Sequence, residues 1–348
     1  MRLPMSDIVK NSGRTPDALR RLLDGMVTPF NPGDSVGIKI HWGERGNGGF
    51  LSPLYTREIV EWLFESGIRP FVFDTTVLYS GGRRTGADSL KTAADHGFTE
   101  TALGCPILIG DGMDGRDILE IPSGYRHFPM VQVAGIIRKA DGFVVFSHFK
   151  GHIEAAFGGA IKNISMGMAS RAQKQRMHAD AHPRLIKKRC TRCGVCAEVC
   201  PTGAAVLPPD ADPTYDLTAC IGCSQCIALC PQMALKIIWD TDVKLFQERL
   251  VETAAALWKE IGKKTLVINA LLNITAECDC LEGTHPVIAD DCGFIGGSHP
   301  LTVDEVSLRR IGAEPFDRAH PGLPWERQFE FAREIGFTPR SRQEEDFR

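Results

Sequence analysis

The chain has 348 residues, of which 43% are hydrophobic and 24% are charged, and this is the composition of a globular protein able to bury a core. Its net charge of -3 excludes a strongly basic surface, so we expect no nucleic-acid partner and no attraction to an anionic membrane. No apolar run approaches the ~20 residues of a membrane span, and residues 1–14 lack the apolar region of a secretory signal. These features predict a cytoplasmic protein.

The first predicted elements form half of a βαβ unit. Thr15 and Pro16 have the sequence of a helix start, with Thr15 as the N-cap residue and Pro16 at the first helical position. Residues 34–42 alternate in the manner of a strand, and a glycine-rich loop at 43–49 leads into a second helix from Ser52. Strand, glycine loop and helix in this order are typical of an α/β protein.

The same alternation continues on both sides of a cysteine-rich stretch in the middle of the chain. Before it, the further predicted strands are residues 70–74, 106–109 and 142–147, and the further predicted helices are residues 87–96, 132–139 and 154–164. After it, the predicted strands are residues 265–270 and 286–289, the predicted helices are residues 242–261, 303–311 and 325–335, and residues 340–348 form a tail that we expect to fray. The predicted fold class is therefore α/β with a mostly parallel sheet.

Eight of the twelve cysteines form two runs with the same spacing, C-x2-C-x2-C-x3-C-P, and the second run begins 30 positions after the first. The runs are Cys190, Cys193, Cys196 and Cys200, and Cys220, Cys223, Cys226 and Cys230. In bacterial runs of this kind, the fourth cysteine binds the cluster held mainly by the other run. We therefore predict two [4Fe–4S] clusters, one held by Cys190, Cys193, Cys196 and Cys230 and the other by Cys220, Cys223, Cys226 and Cys200.

Structural zinc is the alternative, since zinc also takes thiolates from Cys-x-x-Cys pairs. A zinc site, however, has no need of a third cysteine at the same spacing and a fourth that precedes proline. Residues 187–238 resemble the two-cluster ferredoxin family, and we predict that they form an inserted ferredoxin-like module. Residues 1–186 and 239–348 would then form one discontinuous α/β domain.

Loops at the carboxyl ends of parallel strands are where such sheets bind ligands. The loop at 43–49 lacks the third glycine of a dinucleotide-binding fingerprint, and no Gly-Lys-Ser/Thr follows it. We find no flavin or nicotinamide signature. Arg83 and Arg84 lie in a second glycine-rich loop and are candidates for clamping a carboxylate or phosphate, although exposed loop arginines are more often only solvated.

The richest candidate loop follows the predicted strand at 142–147. In an extended backbone His148, Lys150 and His152 project to one side and place an amine between two imidazoles. Together with Lys162, they are candidates for binding an anionic substrate and for moving protons during its reduction. Surface decoration is the alternative for these four residues.

Four cysteines remain outside the two runs. Cys278 and Cys280 follow a predicted strand, so their thiols face the same way in an extended backbone, and Cys292 comes after the next strand. These three residues predict a third metal or redox site or a catalytic thiol, with plain packing as the alternative. Cys105 precedes a proline and an apolar strand, and we expect it in the core.

Outside the cysteine runs, the sequence resembles the family of iron–sulfur centre proteins built on the domain of unknown function 362. The resemblance is carried by the early strand at 36–40, the stretches 148–152 and 159–163, and Cys278-Asp279-Cys280 with Asp290. It covers roughly residues 30–312 and implies a redox protein of a prokaryotic cytoplasm.

The leading hypothesis is an enzyme in which the ferredoxin-like module passes single electrons to a small, anionic substrate. His148, Lys150, His152 and Lys162 would neutralise the charge of this substrate and supply protons. The alternative is a non-catalytic electron-transfer subunit or an iron–sulfur cluster scaffold. Both hypotheses require an external electron donor or acceptor, such as a ferredoxin or a redox enzyme.

Overall fold

The computed structural model describes residues 8–179, 182–237 and 242–339. The strands in these ranges are β1 (Val9–Asn11), β2 (Ser35–Lys39), β3 (Arg69–Asp74), β4 (Ile107–Ile109), β5 (Ile118–Pro122), β6 (Met130–Ala134), β7 (Gly142–His148), β8 (Lys150–His152), β9 (Ala156–Gly158), β10 (Ala205–Val206), β11 (Thr214–Tyr215), β12 (Thr265–Leu271), β13 (Ile274–Thr275), β14 (Val287–Ala289) and β15 (Gly293–Gly297). The α-helices are α1 (Pro16–Asp24), α2 (Pro53–Glu65), α3 (Gly86–Asp95), α4 (Glu100–Leu103), α5 (Ala160–Met168), α6 (Arg171–His178), α7 (Val195–Glu198), α8 (Gln225–Leu229), α9 (Val243–Ile261), α10 (Pro300–Ile311), α11 (Glu314–Ala319) and α12 (Glu326–Glu334).

The main sheet has seven strands in the order β1-β15-β12-β7-β2-β3-β4. Strands β12, β7, β2, β3 and β4 are parallel, with Ile268 opposite Phe146 and Ile38 opposite Val144, whereas β15 is antiparallel to both of its neighbours. Strands from both sides of the cysteine-rich stretch therefore meet in one sheet. The predicted α/β class with a mainly parallel sheet is confirmed.

Helices cover both faces of this sheet, which explains why its central strands are continuously apolar. In β7, Val144 and Phe146 belong to the core on the face covered by α1 and α2. Phe143 and Val145 point to the opposite face and belong to the core formed with α5, α9, α10 and α12. Because both faces are covered, the carboxyl ends of the strands are where a ligand can reach the sheet.

The start of α1 agrees with its sequence. The Thr15 hydroxyl accepts a hydrogen bond from the backbone N–H of Ala18 at 3.3 Å, and Pro16 is the first helical residue. Leu19 and Leu22 are fully buried on the face that meets the sheet. The predicted N-cap and amphipathic helix are confirmed.

The helix predicted at 132–139 is wrong. Residues 130–134 form β6, which pairs with β5, and a 3-10 turn follows at Gly135–Lys139. The β-branched Val131 and Val133 favour an extended backbone, and both are fully buried there. Because β6 has only five residues, its pattern in the sequence is too short to be distinguished from part of a helix.

The helix predicted at 154–164 begins six residues later than expected, at Ala160. The preceding residues form the hairpin of β8 and β9. A side chain at Gly151 would place its Cβ 2.1 Å from the carbonyl oxygen of Ala276, so this glycine allows the hairpin to lie against the segment after β13. The hairpin depends on a contact between residues far apart in the sequence.

Two other differences concern strands that follow the cysteine-rich stretch. The sequence does not predict β15, where three of five residues are glycine, although this strand joins β1 to β12. The strand predicted at 286–289 exists as β14, but it pairs with β13 outside the main sheet. The tail at 340–348 lies outside the described residues.

Within the described ranges, no helix has both the length and the apolar character needed to cross a bilayer.

Candidate functional site

A cavity of about 170 Å³ opens at the carboxyl ends of β2, β3 and β7. It is lined by Asp74 at the end of β3, by His148 at the end of β7 and by His41, which lies two residues beyond β2. Helices α5 and α6 and the loop at 278–280 contribute further walls. This is the position at which open parallel sheets bind small molecules.

Asp74 is the centre of a buried charge network at the cavity. Its carboxylate oxygens contact the Lys39 ammonium at 2.9 Å and the Arg83 guanidinium at 3.0 Å, and Arg83 also pairs with Glu44 at 3.3 Å. Lys39 further donates to the side-chain oxygen of Asn163 in α5 at 2.8 Å. Each buried charge has an opposite partner, which offsets its loss of hydration. The network joins the strand-end loops to α5.

The predicted anion clamp, Arg83 and Arg84, has protein partners for both guanidinium groups. Besides its two ion pairs, Arg83 donates a hydrogen bond to the Tyr79 hydroxyl at 2.7 Å. Arg84 donates to the carbonyl oxygens of Leu78 at 2.7 Å and Cys230 at 2.9 Å. An anion site at these residues stays a prediction, and their observed contacts hold neighbouring segments together.

Asp279 lies buried between two of the predicted basic residues. Its carboxylate contacts the Lys150 ammonium at 2.5 Å and Nδ1 of His148 at 2.8 Å, while Nε2 of His148 contacts the carbonyl oxygen of Leu272 at 2.6 Å. Burial acts to raise the pKa of Asp279, but the charges of His148 and Lys150 hold it below its usual value. His148 and Lys150 thus anchor the loop at 278–280.

His152 presents a neutral imidazole to the cavity. Its Nδ1 accepts hydrogen bonds from the backbone N–H groups of Glu154 at 3.2 Å and Ala155 at 3.1 Å, so the ring proton lies on Nε2. Burial, followed by the nearby charge of Lys162, lowers the pKa of His152 well below its usual value. Near pH 7 His152 is therefore a hydrogen-bond donor rather than a cation.

Lys162 projects from α5 and lines the same cavity. Within residues 8–179, 182–237 and 242–339, its ammonium forms no hydrogen bond and no ion pair. Burial lowers the pKa of Lys162 to about 8, so most molecules still carry the charge at pH 7. Lys162 is the predicted basic residue best placed to meet the charge of a ligand.

His41 is a cavity residue that the sequence reading misses. Its Nδ1 accepts a hydrogen bond from the N–H of Gly43 at 2.9 Å. Burial and then the charges of Arg83 and Lys39 lower the pKa of His41 well below its usual value. The sequence signal for this part of the site is a polar residue at the end of an apolar strand or just beyond it. Lys39 and Asp74 end their strands, and His41 lies two residues beyond β2.

Besides Lys162, the cavity is lined by Lys174 of α6, whose side chain is buried. Its Nζ donates to the Thr75 hydroxyl at 2.7 Å and to the carbonyl oxygen of Thr76 at 2.5 Å. Burial lowers the pKa of Lys174 to about 8, although the charge of Asp111 acts in the opposite direction. Lys174 and Lys162 bring two ammonium groups to the cavity, whose lining also includes the carboxylates of Asp74 and Asp279.

Cys278 and Cys280 form a disulfide, and both residues line the cavity. A ring nitrogen of His152 and the two sulfur atoms lie within 4.8 Å of one another. Cys292 belongs neither to this group nor to the lining of the cavity, and its Sγ donates to the carbonyl oxygen of Asp290 at 3.4 Å. The structure therefore brings together two of the three cysteines predicted to form a further site. Cys105 is buried in the core, as expected, and burial raises its pKa to about 12.

The eight cysteines of the two runs surround two small cavities of about 20 Å³ each. The first is lined by Cys190, Cys193, Cys196 and Cys230, and the second by Cys200, Cys220, Cys223 and Cys226. Each group combines three cysteines of one run with the fourth cysteine of the other. This is the grouping expected of two [4Fe–4S] clusters.

The backbone around these cysteines repeats together with the sequence. Positive φ angles occur at three pairs of positions, each pair 30 residues apart: Arg192 and Gly222, Gly194 and Ser224, and Gly203 and Met233. Three of these six residues are not glycine, although a positive φ is uncommon for them. The repeat shows that the two cysteine runs form the same tight loops.

Backbone N–H groups point at three of the cysteine sulfurs. Arg192, Ala205 and Ala234 donate to the Sγ atoms of Cys190, Cys200 and Cys230 at 3.4, 3.4 and 3.2 Å. Such donors stabilise the thiolates that hold iron–sulfur clusters. The residues present therefore fit two clusters, and the cysteine-rich stretch is consistent with iron–sulfur binding.

The cysteine-rich stretch packs on the wall of the large cavity. Ala228 of α8 shares an apolar cluster with Leu78 and Ala172, and Leu78 lines the cavity. Arg84 joins the carbonyl oxygen of Leu78 to that of Cys230. Cys230 belongs to the first cysteine group, so this group is linked to the cavity wall through one side chain.

Comparison with known proteins finds one family match. Residues 36–309 match the family described as "Domain of unknown function (DUF362)". No curated protein matches the sequence. The match spans most of the chain and includes the cysteine-rich stretch.

Two solved structures resemble the chain at low similarity. A protein from Thermotoga maritima has 10% sequence identity and a TM-score of 0.43, and the lactate racemase apoprotein from Thermoanaerobacterium thermosaccharolyticum has 14% identity and a TM-score of 0.37. The similarity covers 94% and 78% of this chain but only 60% and 52% of theirs. At this level of similarity neither structure assigns a ligand or a reaction to the chain.

Proposed function

The chain belongs to the DUF362 family, and from this premise we propose that it is an iron–sulfur oxidoreductase that reduces a small, anionic substrate in the large cavity. One observation carries the proposal: the cysteine-rich stretch packs on the wall of the cavity that Lys162 lines. Within the described residues, the Lys162 ammonium has no hydrogen-bond or ion-pair partner. An external ferredoxin or redox enzyme would be the electron donor or acceptor.

We infer that residues 187–238 are a module inserted into the α/β domain. Strands on either side of the stretch share one sheet. At its base, Leu185 and Leu235 form an antiparallel bridge, and the N–H of Ile186 donates to the carbonyl oxygen of Ala234 at 2.7 Å. Adjacent ends are what an insertion into a surface loop requires.

Each [4Fe–4S] cluster supplies, when bound, a centre that takes up and releases one electron. The first would be held by Cys190, Cys193, Cys196 and Cys230, and the second by Cys200, Cys220, Cys223 and Cys226. Arg84 keeps the first group against the cavity wall, since its guanidinium bonds to both segments. This contact between the first cysteine group and the cavity wall supports electron transfer from the first cluster to the cavity.

The substrate would bind through Lys162, His152 and His41. The Lys162 ammonium would pair with an anionic group of the substrate, and the Nε2–H groups of the two histidines would donate hydrogen bonds. A fixed ammonium in partly buried surroundings also stabilises the negative charge that develops as electrons arrive. A cavity of about 170 Å³ suits a small molecule.

Lys162 would also supply a proton. Its pKa of about 8 lies close to neutral pH, where a group is most effective as a general acid. His148 is already bound to Asp279 and to a carbonyl group, and Lys150 to Asp279 and to the carbonyl oxygen of Gly49, so neither is free to take this role. Their predicted catalytic roles are replaced here by positioning the loop at 278–280.

Lys162→Met is expected to weaken anion binding by about 10- to 100-fold, because a charge-assisted hydrogen bond contributes roughly 1.5–3 kcal/mol. The Met side chain lacks only the terminal ammonium, so the unbranched apolar part of Lys162 is kept and the charge is lost. Isothermal titration of the anaerobic protein with formate, oxalate, pyruvate and inorganic phosphate would measure the affinities. Iron content should not change, since Lys162 lies outside both cysteine groups.

Lys263→Met is the matched control, because Lys263 is exposed in the 3-10 helix Gly262–Lys264, which follows the long helix α9. It should leave every affinity unchanged. Equal anion affinities in wild type and Lys162→Met would refute the assigned substrate site. If the wild type holds both clusters and binds none of the anions, the non-catalytic electron-transfer role gains support instead.

A further inference from the structure

We infer that Cys278 and Cys280 are a redox-active pair that cycles between disulfide and dithiol inside the large cavity. This inference rests on the proposed function, since its electrons come through the cysteine-rich stretch. It adds a chemical role: the pair collects two electrons delivered singly and passes them on together. The substrate class is therefore a small anion that accepts two electrons and two protons.

The position of the pair supports this role. Cys278 and Cys280 are paired in the structure, are both half-buried and both line the cavity, so a substrate can reach them. Lys162 and Arg83 line the same cavity. Partly exposed cysteines near positive charges form thiolates readily, and the thiolate is the reactive form.

The loop that carries the pair is held from several sides. The carboxylate of Asp279 is bound by Lys150 and His148, and its backbone carbonyl accepts a hydrogen bond from the N–H of Glu44 at 2.8 Å. The Tyr79 hydroxyl donates to the carbonyl oxygen of Cys280 at 3.1 Å. These contacts do not involve the sulfur atoms, so they persist when the disulfide opens and keep the two thiols adjacent for re-oxidation.

A metal ion held by Cys278, Cys280 and His152 is the competing assignment. A metal-bound histidine ordinarily donates its second ring N–H to an oxygen acceptor. Here Nδ1 of His152 faces two backbone N–H donors, so it must keep its lone pair. Coordination through Nε2 would then require a doubly deprotonated ring. The hydrogen bonds of His152 favour the redox pair.

The reaction balances in two halves. In the first, two electrons from an external one-electron donor of the ferredoxin type and two protons break the S–S bond and give two thiols. In the second, the thiols lose two protons and two electrons to the substrate and the S–S bond forms again. Lys162 and solvent at the cavity mouth supply and accept the protons.

Alkylation of the pair at controlled potentials tests the inference. The anaerobic full-length protein would be equilibrated with mixtures of reduced and oxidised dithiothreitol and quenched in acid. It would then be denatured and labelled with iodoacetamide at alkaline pH, where the thiols ionise. Peptide mass spectrometry should show no label on Cys278 and Cys280 at oxidising ratios and two labels at reducing ratios, with a two-electron dependence. Cys292, which has no bond to either sulfur, should carry one label throughout.

Three results would overturn the inference: both cysteines labelled at every ratio, both unlabelled at every ratio, or a stoichiometric metal that is retained in wild type and lost in Cys278→Ser/Cys280→Ser. Dithionite titration provides a second measurement. Wild type should take up about four electrons, two at the clusters and two at the pair, and Cys278→Ser/Cys280→Ser about two. Cys292→Ser is the matched control and should take up the wild-type amount.

The same samples separate this inference from the proposed function. A normal iron content with no change in labelling refutes the redox pair alone. Loss of iron with a pair that still switches refutes the iron–sulfur assignment alone. The serine variants keep all eight cysteines of the two runs, so their iron content should equal that of wild type.

Discussion

Asp279→Ala is expected to lower the free energy of unfolding by about 4 kcal/mol, because breaking a buried ion pair costs roughly 3–5 kcal/mol. The substitution leaves the Lys150 ammonium and the His148 imidazole buried without their shared carboxylate. It also removes the side-chain contacts of the loop at 278–280 with His148 and Lys150, while the hydrogen bonds to its backbone carbonyls remain. Urea unfolding of the anaerobic protein would measure the change.

Asp317→Ala is the control for this prediction, because Asp317 is exposed on α11. Substitution at such a surface position should change stability by no more than about 0.5 kcal/mol. A loss below about 1 kcal/mol in Asp279→Ala would mean that the ion pairs contribute only as much as exposed ones. The account of His148 and Lys150 as anchoring residues would then be wrong.

Cys193→Ala is expected to lower the iron content from about eight to about four atoms per chain, because one of two [4Fe–4S] clusters loses a ligand. Cys193→Ala/Cys230→Ala should also keep about four irons, since both residues line the first small cavity. Cys193→Ala/Cys200→Ala should keep almost none, because each cluster loses one ligand. Iron and sulfide analysis after anaerobic reconstitution measures all three.

The comparison of the two double variants is decisive for the ligand grouping. If each run held its own cluster, the iron contents of the two double variants would be exchanged. Cys105→Ala is the control, since Cys105 lies in the core between the main sheet and helices α1 and α2, and its loss should leave all iron in place. Iron loss in this control would point to unfolding rather than to missing ligands.

The sequence predicts best those features that depend on short spacing. The start of α1 is set by Thr15 and Pro16 within one turn, and the structure confirms it. The alternation of strands and helices likewise predicts the mainly parallel sheet. The two cysteine runs predict their own grouping because the spacing of the ligands reflects the shape of a cluster.

Features that depend on distant residues are not visible in the sequence. The hairpin of β8 and β9 replaces a predicted helix because Gly151 lies against Ala276. Strand β15 is rich in glycine, and only its neighbours β1 and β12 make it a strand. Local pattern gives no information about such contacts.

In the candidate site too, the sequence predicts what depends on neighbouring residues and misses what depends on distant ones. The sequence identifies His148, Lys150, His152 and Lys162 as one basic group, but it cannot show which of them are paired with other residues of the protein. The partner of His148 and Lys150 is Asp279, about 130 residues away in the chain. Only the structure shows that Lys162 remains without a protein partner within the described ranges, while Lys150 is bound. His41 is found only when the ends of the strands are seen together.

The iron and sulfide content of the anaerobically purified wild-type chain, with its EPR spectrum, tests the central claim most directly. We predict about eight irons and eight acid-labile sulfides per chain and an EPR signal that appears on reduction by a one-electron donor. Stoichiometric zinc without sulfide, or a folded chain that binds no iron after reconstitution, would contradict the account.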